Sequence, residues 1–321
     1  MAYSSVDPDL FPALDALKGV WGDTSMNLDE LAAARQTHDA MAAQSNSIAP
    51  AVEGVETTRH RVVNTELGVD AVVYLHQPSR KAEKAGNALL HLHGGGYVMG
   101  SATHSEPQLR SWAKKYNCLI VSVEYRLAPE HPFPAALFDC VAVLEWLYAE
   151  ALSLNVDPAK ISLFGESAGG GLAAGLALYA RDHSDINIAH QILLYPMLDH
   201  QNTLPADDDN PDTYIWSRKN NQFGWAAYLG ANVDDSMMPY ASPSFAQTLR
   251  GLPATYICVG SIDLFYRENC YYAKSLSAAG VPVDIDVYAD AYHAFQVVVP
   301  DATVSQSCLH KIDDVLSSVL S

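Results

Sequence analysis

Ser167 lies in Gly165-Glu-Ser-Ala-Gly-Gly-Gly171, a G-x-S-x-G pentapeptide extended by two more glycines. The residues before it, Ile161-Ser-Leu-Phe164, read as a short buried strand, and Leu172 to Ala180 read as an Ala/Leu/Gly-rich helix. Strand, G-x-S-x-G, helix is the context in which a serine becomes a nucleophile. The sharp turn between small neighbours projects the hydroxyl at the top of a sheet, at the positive end of the next helix. The pentapeptide alone also arises by chance. Acyl transfer through serine needs three further parts: a base for the hydroxyl proton, an acid that orients the base, and hydrogen-bond donors for the oxyanion.

Each part has a candidate. His91-Leu-His-Gly-Gly-Gly-Tyr97 ends a predicted strand, Ala88–His91. Three consecutive glycines let the backbone turn its N–H groups inward, which is the HGGG type of oxyanion loop, and the elbow adds the N–H of Ala168. The base should sit beyond the last strand. His293, in Asp290-Ala-Tyr-His-Ala-Phe295, follows the predicted strand Val283–Tyr288; after the strand Thr255–Val259 its one competitor is His310, on the last helix. The acid should follow the preceding strand, where Asp263 emerges; Asp284 and Asp286 lie inside a strand and Asp290 is too near His293. The order Ser167, Asp263, His293 is that of α/β-hydrolases. His91 and His93 share a strand face, but no second cluster of ligand spacing accompanies them and His104 stands alone in the sequence. No metal site and no cofactor are expected. His93 is instead expected to brace the oxyanion loop.

The elements that must position these groups follow from periodicity. Asp7 and Pro8 start a predicted short helix reaching Lys18, and Asn27 caps a second one reaching Gln44. Residues 45–54 read as a linker. Thr58–Glu66 and Ala71–Gln77 form a predicted hairpin around Gly68. Strands then alternate with helices. Further strands are expected at Leu119–Val123 and Gln191–Leu194, and helices at Glu106–Tyr116, Pro134–Leu152, Ser167–Arg181, Arg267–Ala279 and Val304–Leu320. This alternation implies an α/β fold with a mostly parallel sheet covered on both faces and an antiparallel edge. One insert, residues 199–230, interrupts it. Its Asp207–Asp209 run reads as a solvated loop, and Tyr214, Ile215, Trp216 and Trp225 as core or as the lining of a pocket.

Composition excludes other classes. With 19 Lys and Arg against 37 Asp and Glu in 321 residues, the formal charge is −18, which argues against nucleic acid or an anionic membrane as partner. The five cysteines are odd in number and widely spaced, as expected of buried free thiols in a reducing compartment. No stretch approaches the ~20 apolar residues of a membrane span, and Met1 to Leu10 lacks a signal-peptide pattern. A cytoplasmic location is expected.

Over about residues 60 to 320 the chain resembles the hormone-sensitive-lipase-like esterases, bacterial family IV. The resemblance rests on linked motifs: His93-Gly-Gly-Gly-Tyr97, Tyr125-Arg-Leu-Ala-Pro-Glu130, His131-Pro-Phe-Pro-Ala135, Gly165-Glu-Ser-Ala-Gly-Gly170, Tyr195-Pro-Met-Leu-Asp199, Asp263-Leu264 and His293-Ala-Phe295. It implies an eight-stranded α/β-hydrolase core with a helical cap. The cap would comprise residues 1–54 and the insert 199–230, and the core residues 55–198 and 231–321. It further implies Gly95, Gly96 and Ala168 as oxyanion donors, with Gly94 replacing one of them if the loop register differs. A homodimer through the last strand region is also implied. Two departures stand out. Many relatives carry Asp-Pro-Leu-Arg-Asp at the acid, where this chain has Asp263-Leu-Phe-Tyr-Arg267, and Tyr97 replaces the usual Phe, adding a hydroxyl near the acyl site. The implied activity is a serine carboxylesterase acting on small-molecule esters of short to medium acyl chain. Tyr97, Tyr195, Trp216, Leu264 and Phe295 are the pocket candidates. An amidase, lactonase or deacetylase would use the same triad. A receptor of this fold would keep the serine but lose the histidine, which this chain retains.

Overall fold

The computed structural model describes residues 6–14, 26–79, 84–202 and 214–320. Eight strands form one sheet: β1 (Val55–Asn64), β2 (Val69–Pro78), β3 (Gly86–Leu92), β4 (Leu119–Glu124), β5 (Val156–Glu166), β6 (His190–Leu194), β7 (Ala254–Gly260) and β8 (Val283–Tyr288). Their order is β1-β2-β4-β3-β5-β6-β7-β8. The β1–β2 hairpin and the β2–β4 pair are antiparallel; the pairs from β4 through β8 are parallel. All eight expected strands are present. The largest difference is at β5, which begins at Val156 because Gly86 pairs with it across a register shift.

The central strands are apolar on both faces, as crossover helices on each side require. Alternation divides them: Ala88, Leu90 and Leu92 of β3 enter one core, and Leu89 enters the other. Helices α2 (Glu106–Tyr116) and α9 (Thr303–Leu320) contribute to the core that takes Leu89. Helices α3 (Ala135–Ala149), α4 (Ala168–His183) and α7 (Tyr266–Ala278) contribute to the core that takes Leu90. These five helices match expectation to within a few residues. Two single turns, α6 (Met238–Ala241) and α8 (Phe295–Val298), were not expected.

The described residues of the first fifty, 6–14 and 26–50, meet this core through Val6, Leu10, Leu14, Met26 and Leu31. Asp7 accepts a hydrogen bond from Asp9 N at 2.9 Å and caps a 3-10 turn, Pro8–Leu10. Residues 11–14 continue it as helix, as expected, and residues 15–18 of the predicted helix lie outside the described residues. Asn27 caps as expected, accepting from Asp29 N and Glu30 N, but it caps a turn; helix α1 spans Leu31–Ile48, beginning and ending four residues later than predicted. On α1, Arg35 makes a two-pronged contact with Glu130 at 2.7 and 2.8 Å and also donates to the carbonyls of Val98 and Ala128. In the insert, helix α5 (Arg218–Leu229) is capped by the Ser217 hydroxyl, which accepts from Asn220 N. Asn220 in turn accepts from Met26 N at 2.8 Å, joining the insert to the N-terminal segment. The Asp207–Asp209 run lies outside the described residues.

Close approach sets one packing limit. A Cβ on Gly175, within α4, would lie 2.2 Å from the Tyr240 carbonyl oxygen of α6. In an exposed helix Gly→Ala gains about 1 kcal/mol. Here the clash is with backbone, and overpacking costs about 1–3 kcal/mol. Gly175→Ala is therefore expected to lower the urea midpoint of unfolding; a raised midpoint would mean that α6 yields freely.

Candidate active site

The turn from β5 into α4 holds Ser167 at φ 54°, ψ −119°. A non-glycine residue in that region costs on the order of 1–3 kcal/mol and persists only where the surroundings dictate it. Close backbone contacts supply that dictation. A Cβ on Gly165 would lie 2.2 Å from the Gly169 carbonyl oxygen, and one on Gly169 would lie 2.1 Å from that of Leu92. The Ser167 N–H donates to Leu194 O at 2.9 Å, and its carbonyl accepts from Gly171 N and Met197 N, both at 3.0 Å. The serine backbone is thus tied to α4 and to the end of β6.

Ser167, Asp263 and His293 meet although each comes from a different strand end. The Ser167 hydroxyl is 3.0 Å from His293 Nε2, and His293 Nδ1 is 2.8 Å from Asp263 Oδ2. All three are buried, with 7, 7 and 5 % of their surface exposed. Asp263 Oδ1 accepts from Phe265 N at 2.9 Å, so both carboxylate oxygens are engaged. Since a carboxylate only accepts, the His293 proton sits on Nδ1 and Nε2 is left to accept from the serine. The rings of Tyr195 and Phe265 meet the imidazole edge-on at 4.7 and 5.2 Å and limit its rotation.

The glycine loop after β3 faces this hydroxyl. Gly95 and Gly96 have φ of +124° and +60°. Among the described residues, the N–H groups of Gly95, Gly96 and Ala168 find no acceptor. Ala168 is the first residue of α4, where helix geometry leaves the N–H unpaired and partly positive. His93 braces the loop as expected. Its Nδ1 donates to Gly94 O at 2.8 Å, its carbonyl accepts from Tyr125 OH at 2.7 Å, and its ring stacks on Tyr125 at 4.1 Å. Burial lowers its imidazole pKa to about 3, so the brace is neutral. His91 turns to Ser122 Oγ instead.

The five pocket candidates divide between the two cores. Tyr97, Trp216 and Leu264 join one, and Tyr195 and Phe295 the other. Trp216 lies against the oxyanion loop, where a Cβ on Gly96 would meet its ring at 2.2 Å. Tyr97 stacks on Tyr228 of α5 at 3.8 Å and directs its hydroxyl towards Met197 O at 3.4 Å. The expected hydroxyl beside the acyl site is therefore turned into core packing. The Tyr195 hydroxyl accepts from Gln296 Nε2 at 2.7 Å. Phe295 packs against Tyr288 at 5.4 Å and is fully buried.

Sequence reasoning missed Glu268 and Asn269. Glu268 accepts from Leu198 N at 2.8 Å, and Asn269 Nδ2 donates to Pro196 O at 2.7 Å. Burial pushes the Glu268 carboxyl well above its ordinary range. Together they bind the helix after Asp263 to the segment whose Met197 holds the serine carbonyl. Their position just after the candidate acid was the available signal. A second correction concerns His104, which does not stand alone: it meets His38 and Asp39 of α1.

A family model described as the alpha/beta hydrolase fold matches residues 89–297. The chain is similar to the carboxylesterase NlhH of Mycobacterium tuberculosis, 35% identical over 219 residues that cover 67% of this chain and 69% of that protein. Among solved structures it is similar to a bacterial heroin esterase, with TM-score 0.92, 32% identity and full coverage of both chains. It is also similar to the esterase LipW from Mycobacterium marinum, with TM-score 0.85, 29% identity and 99% and 97% coverage.

The Gly96–Trp216 contact predicts a measurable coupling. Gly96→Ala adds a left-handed backbone cost of about 1–2 kcal/mol and, with Trp216 present, an overpacking cost of about 1–3 kcal/mol. In a Trp216→Ala background only the backbone cost should remain. Urea unfolding of the double-mutant cycle should therefore give non-additivity of about 1 kcal/mol or more; additive losses would remove the contact from consideration.

Proposed function

The chain belongs to the hormone-sensitive-lipase-like branch of the α/β-hydrolase family, and from that premise we propose that Ser167, His293 and Asp263 carry out ester hydrolysis through an acyl-enzyme. The protein is a serine ester hydrolase of the carboxylesterase class. The observation that carries the residue assignment is the continuous hydrogen-bond chain from Ser167 Oγ through His293 to Asp263.

In this mechanism the Ser167 oxygen attacks the ester carbonyl while its proton passes to His293 Nε2. The carbonyl oxygen becomes an oxyanion facing the N–H groups of Gly95, Gly96 and Ala168. Each such donor is worth about 2.7–4 kcal/mol when it bonds only the charged state. Asp263 stabilises the imidazolium through Nδ1–H. The tetrahedral adduct collapses, the alkoxide leaves with the proton from His293, and the acyl group remains on Ser167. Water then attacks the acyl-enzyme, His293 takes its proton and returns it to the serine, and the acid leaves.

The substrates we propose are small-molecule esters of short to medium acyl chain. Trp216, whose ring lies against Gly96 of the oxyanion loop, supports a short acyl site. Among the described residues no helix is long and apolar enough to cross a membrane. The described cysteines are free thiols, four of them buried, which supports a reducing compartment such as the cytoplasm. Strand β8 ends the sheet with Asp284 and Val287 exposed and its other four residues half-buried, and it is the edge we assign to a homodimer.

Two measurements test this reading. Ser167→Ala should lower kcat on a p-nitrophenyl ester by about four or more orders of magnitude, and a phosphonate ester should inactivate the wild type with one equivalent bound at Ser167. Activity surviving in the alanine variant would exclude the assignment. Across acetate to laurate esters, kcat/KM should peak at eight carbons or fewer; a maximum at ten or more would contradict the short acyl site.

A further inference from the structure

Outside the catalytic groups, one cluster has the composition of a metal site. His38 and Asp39 lie on α1, and His104 lies in the turn between the oxyanion loop and α2. One ligand atom from each lies within 4.8 Å of the other two. His104 Nε2 is 3.1 Å from Asp39 Oδ1, and the His38 and His104 rings stand 4.9 Å apart with a 56° tilt. His38 adds a second imidazole to the His104–Asp39 pair. His104 Nδ1 is buried without a hydrogen-bond partner. We propose that His38, Asp39 and His104 bind one borderline transition-metal dication, with zinc the best fit, and that the ion staples α1 to the turn that follows the oxyanion loop.

The donor chemistry selects the class of ion. Two imidazole nitrogens and one carboxylate oxygen suit zinc, whereas magnesium and calcium take oxygen ligands. Ligand bonds of about 2.0–2.2 Å place tetrahedral ligand atoms roughly 3.3–3.5 Å apart. The His104–Asp39 pair, at 3.1 Å, is already at that spacing, and side-chain rotation has to bring His38 in from within 4.8 Å. Three protein ligands leave the fourth position to water. Asp39 has 60% of its side chain exposed, which gives the ion a route in. The positive charge of Arg35, one turn earlier, is engaged by Glu130 and two carbonyls.

The position explains what the ion would do. Arg35, His38, Asp39 and Asn46 recur at helical spacing on the face of α1 turned to residues 98–104. Arg35 holds Val98 O, and Asn46 Nδ2 donates to Thr103 O at 3.0 Å. A metal at the middle of this stripe adds a third and stronger tie between the N-terminal helix and the same segment. It touches no group of the triad, so it stabilises without entering the reaction.

Untagged protein stripped with EDTA and desalted is titrated with Zn2+ against a chromophoric chelator, and thermal unfolding is followed in parallel. One equivalent should bind with a low-micromolar or tighter Kd. The midpoint should rise by about 3–5 °C near 100-fold excess over Kd, while Mg2+ and Ca2+ at equal concentration should leave it unmoved. His104→Gln and Asp39→Asn should each weaken binding at least tenfold, with metal-free ester hydrolysis retained as the measure of folding. His38→Gln serves where either variant loses that hydrolysis. No saturable site below 1 mM (roughly, a Kd weaker than −4 kcal/mol), an equal shift with Mg2+, or wild-type affinity in a folded His104→Gln or His38→Gln variant overturns the proposal. Binding is read independently of turnover, so failure here leaves the esterase assignment untouched.

Discussion

The site depends on one backbone conformation. Ser167 is held at positive φ because the turn between β5 and α4 is folded so tightly that a side chain at Gly165 would strike the Gly169 carbonyl, and is pressed so closely on the end of β3 that one at Gly169 would strike the Leu92 carbonyl. The same approach that strains the serine brings the first N–H of α4 next to the glycine loop after β3. The proposed nucleophile and the proposed oxyanion donors are therefore two consequences of one packed turn. Relaxing the turn would withdraw the hydroxyl from His293 and the Ala168 N–H from the oxyanion together.

The remaining parts are delivered by the parallel sheet. Strands β5 and β7 run in the same direction, so the elbow and Asp263 emerge at one edge, and the loop after β8 brings His293 to the same edge. Direction alone does not set distances of 3 Å. Those are set by cross-links between loops: Glu268 and Asn269 hold the segment after β6, and Met197 in that segment holds the serine carbonyl. Burial, with Asp199 and Asp263 nearby, pushes the Glu268 carboxyl well above its ordinary range, because a second buried negative charge there is costly.

Much of this was legible in the sequence because the signals are local. The strands announce themselves as short apolar runs, the elbow and the triple glycine as spacing, and Asp263 and His293 as the polar residues that follow the last two strands. What was not legible depends on contacts between distant segments. Nothing in the neighbourhood of Arg35 reveals that it will grip Val98, Ala128 and Glu130. His104 looked isolated because its companions lie 65 and 66 positions earlier on α1. Tyr97 looked like a residue of the acyl site because it follows the glycines; its positive φ of 65° instead turns the ring onto Tyr228. In each case the residue type was informative and the partner was not.

Trp216 extends that point to specificity. Its ring lies on one side of Gly96, while a Cβ on Gly224 of α5 would come within 2.8 Å of the Gly96 carbonyl oxygen. The insert therefore touches Gly96, the residue whose N–H is one of the proposed oxyanion donors. A substrate group that displaces Trp216 also disturbs Gly96, so poor fit in the pocket is felt at the reacting carbonyl as well as in binding. Selectivity arising this way appears in kcat as much as in KM, because the interaction lost is one made to the transition state. In the proposed mechanism the insert and the glycine loop, separate in sequence but in contact at Gly96, would act on the substrate as one wall.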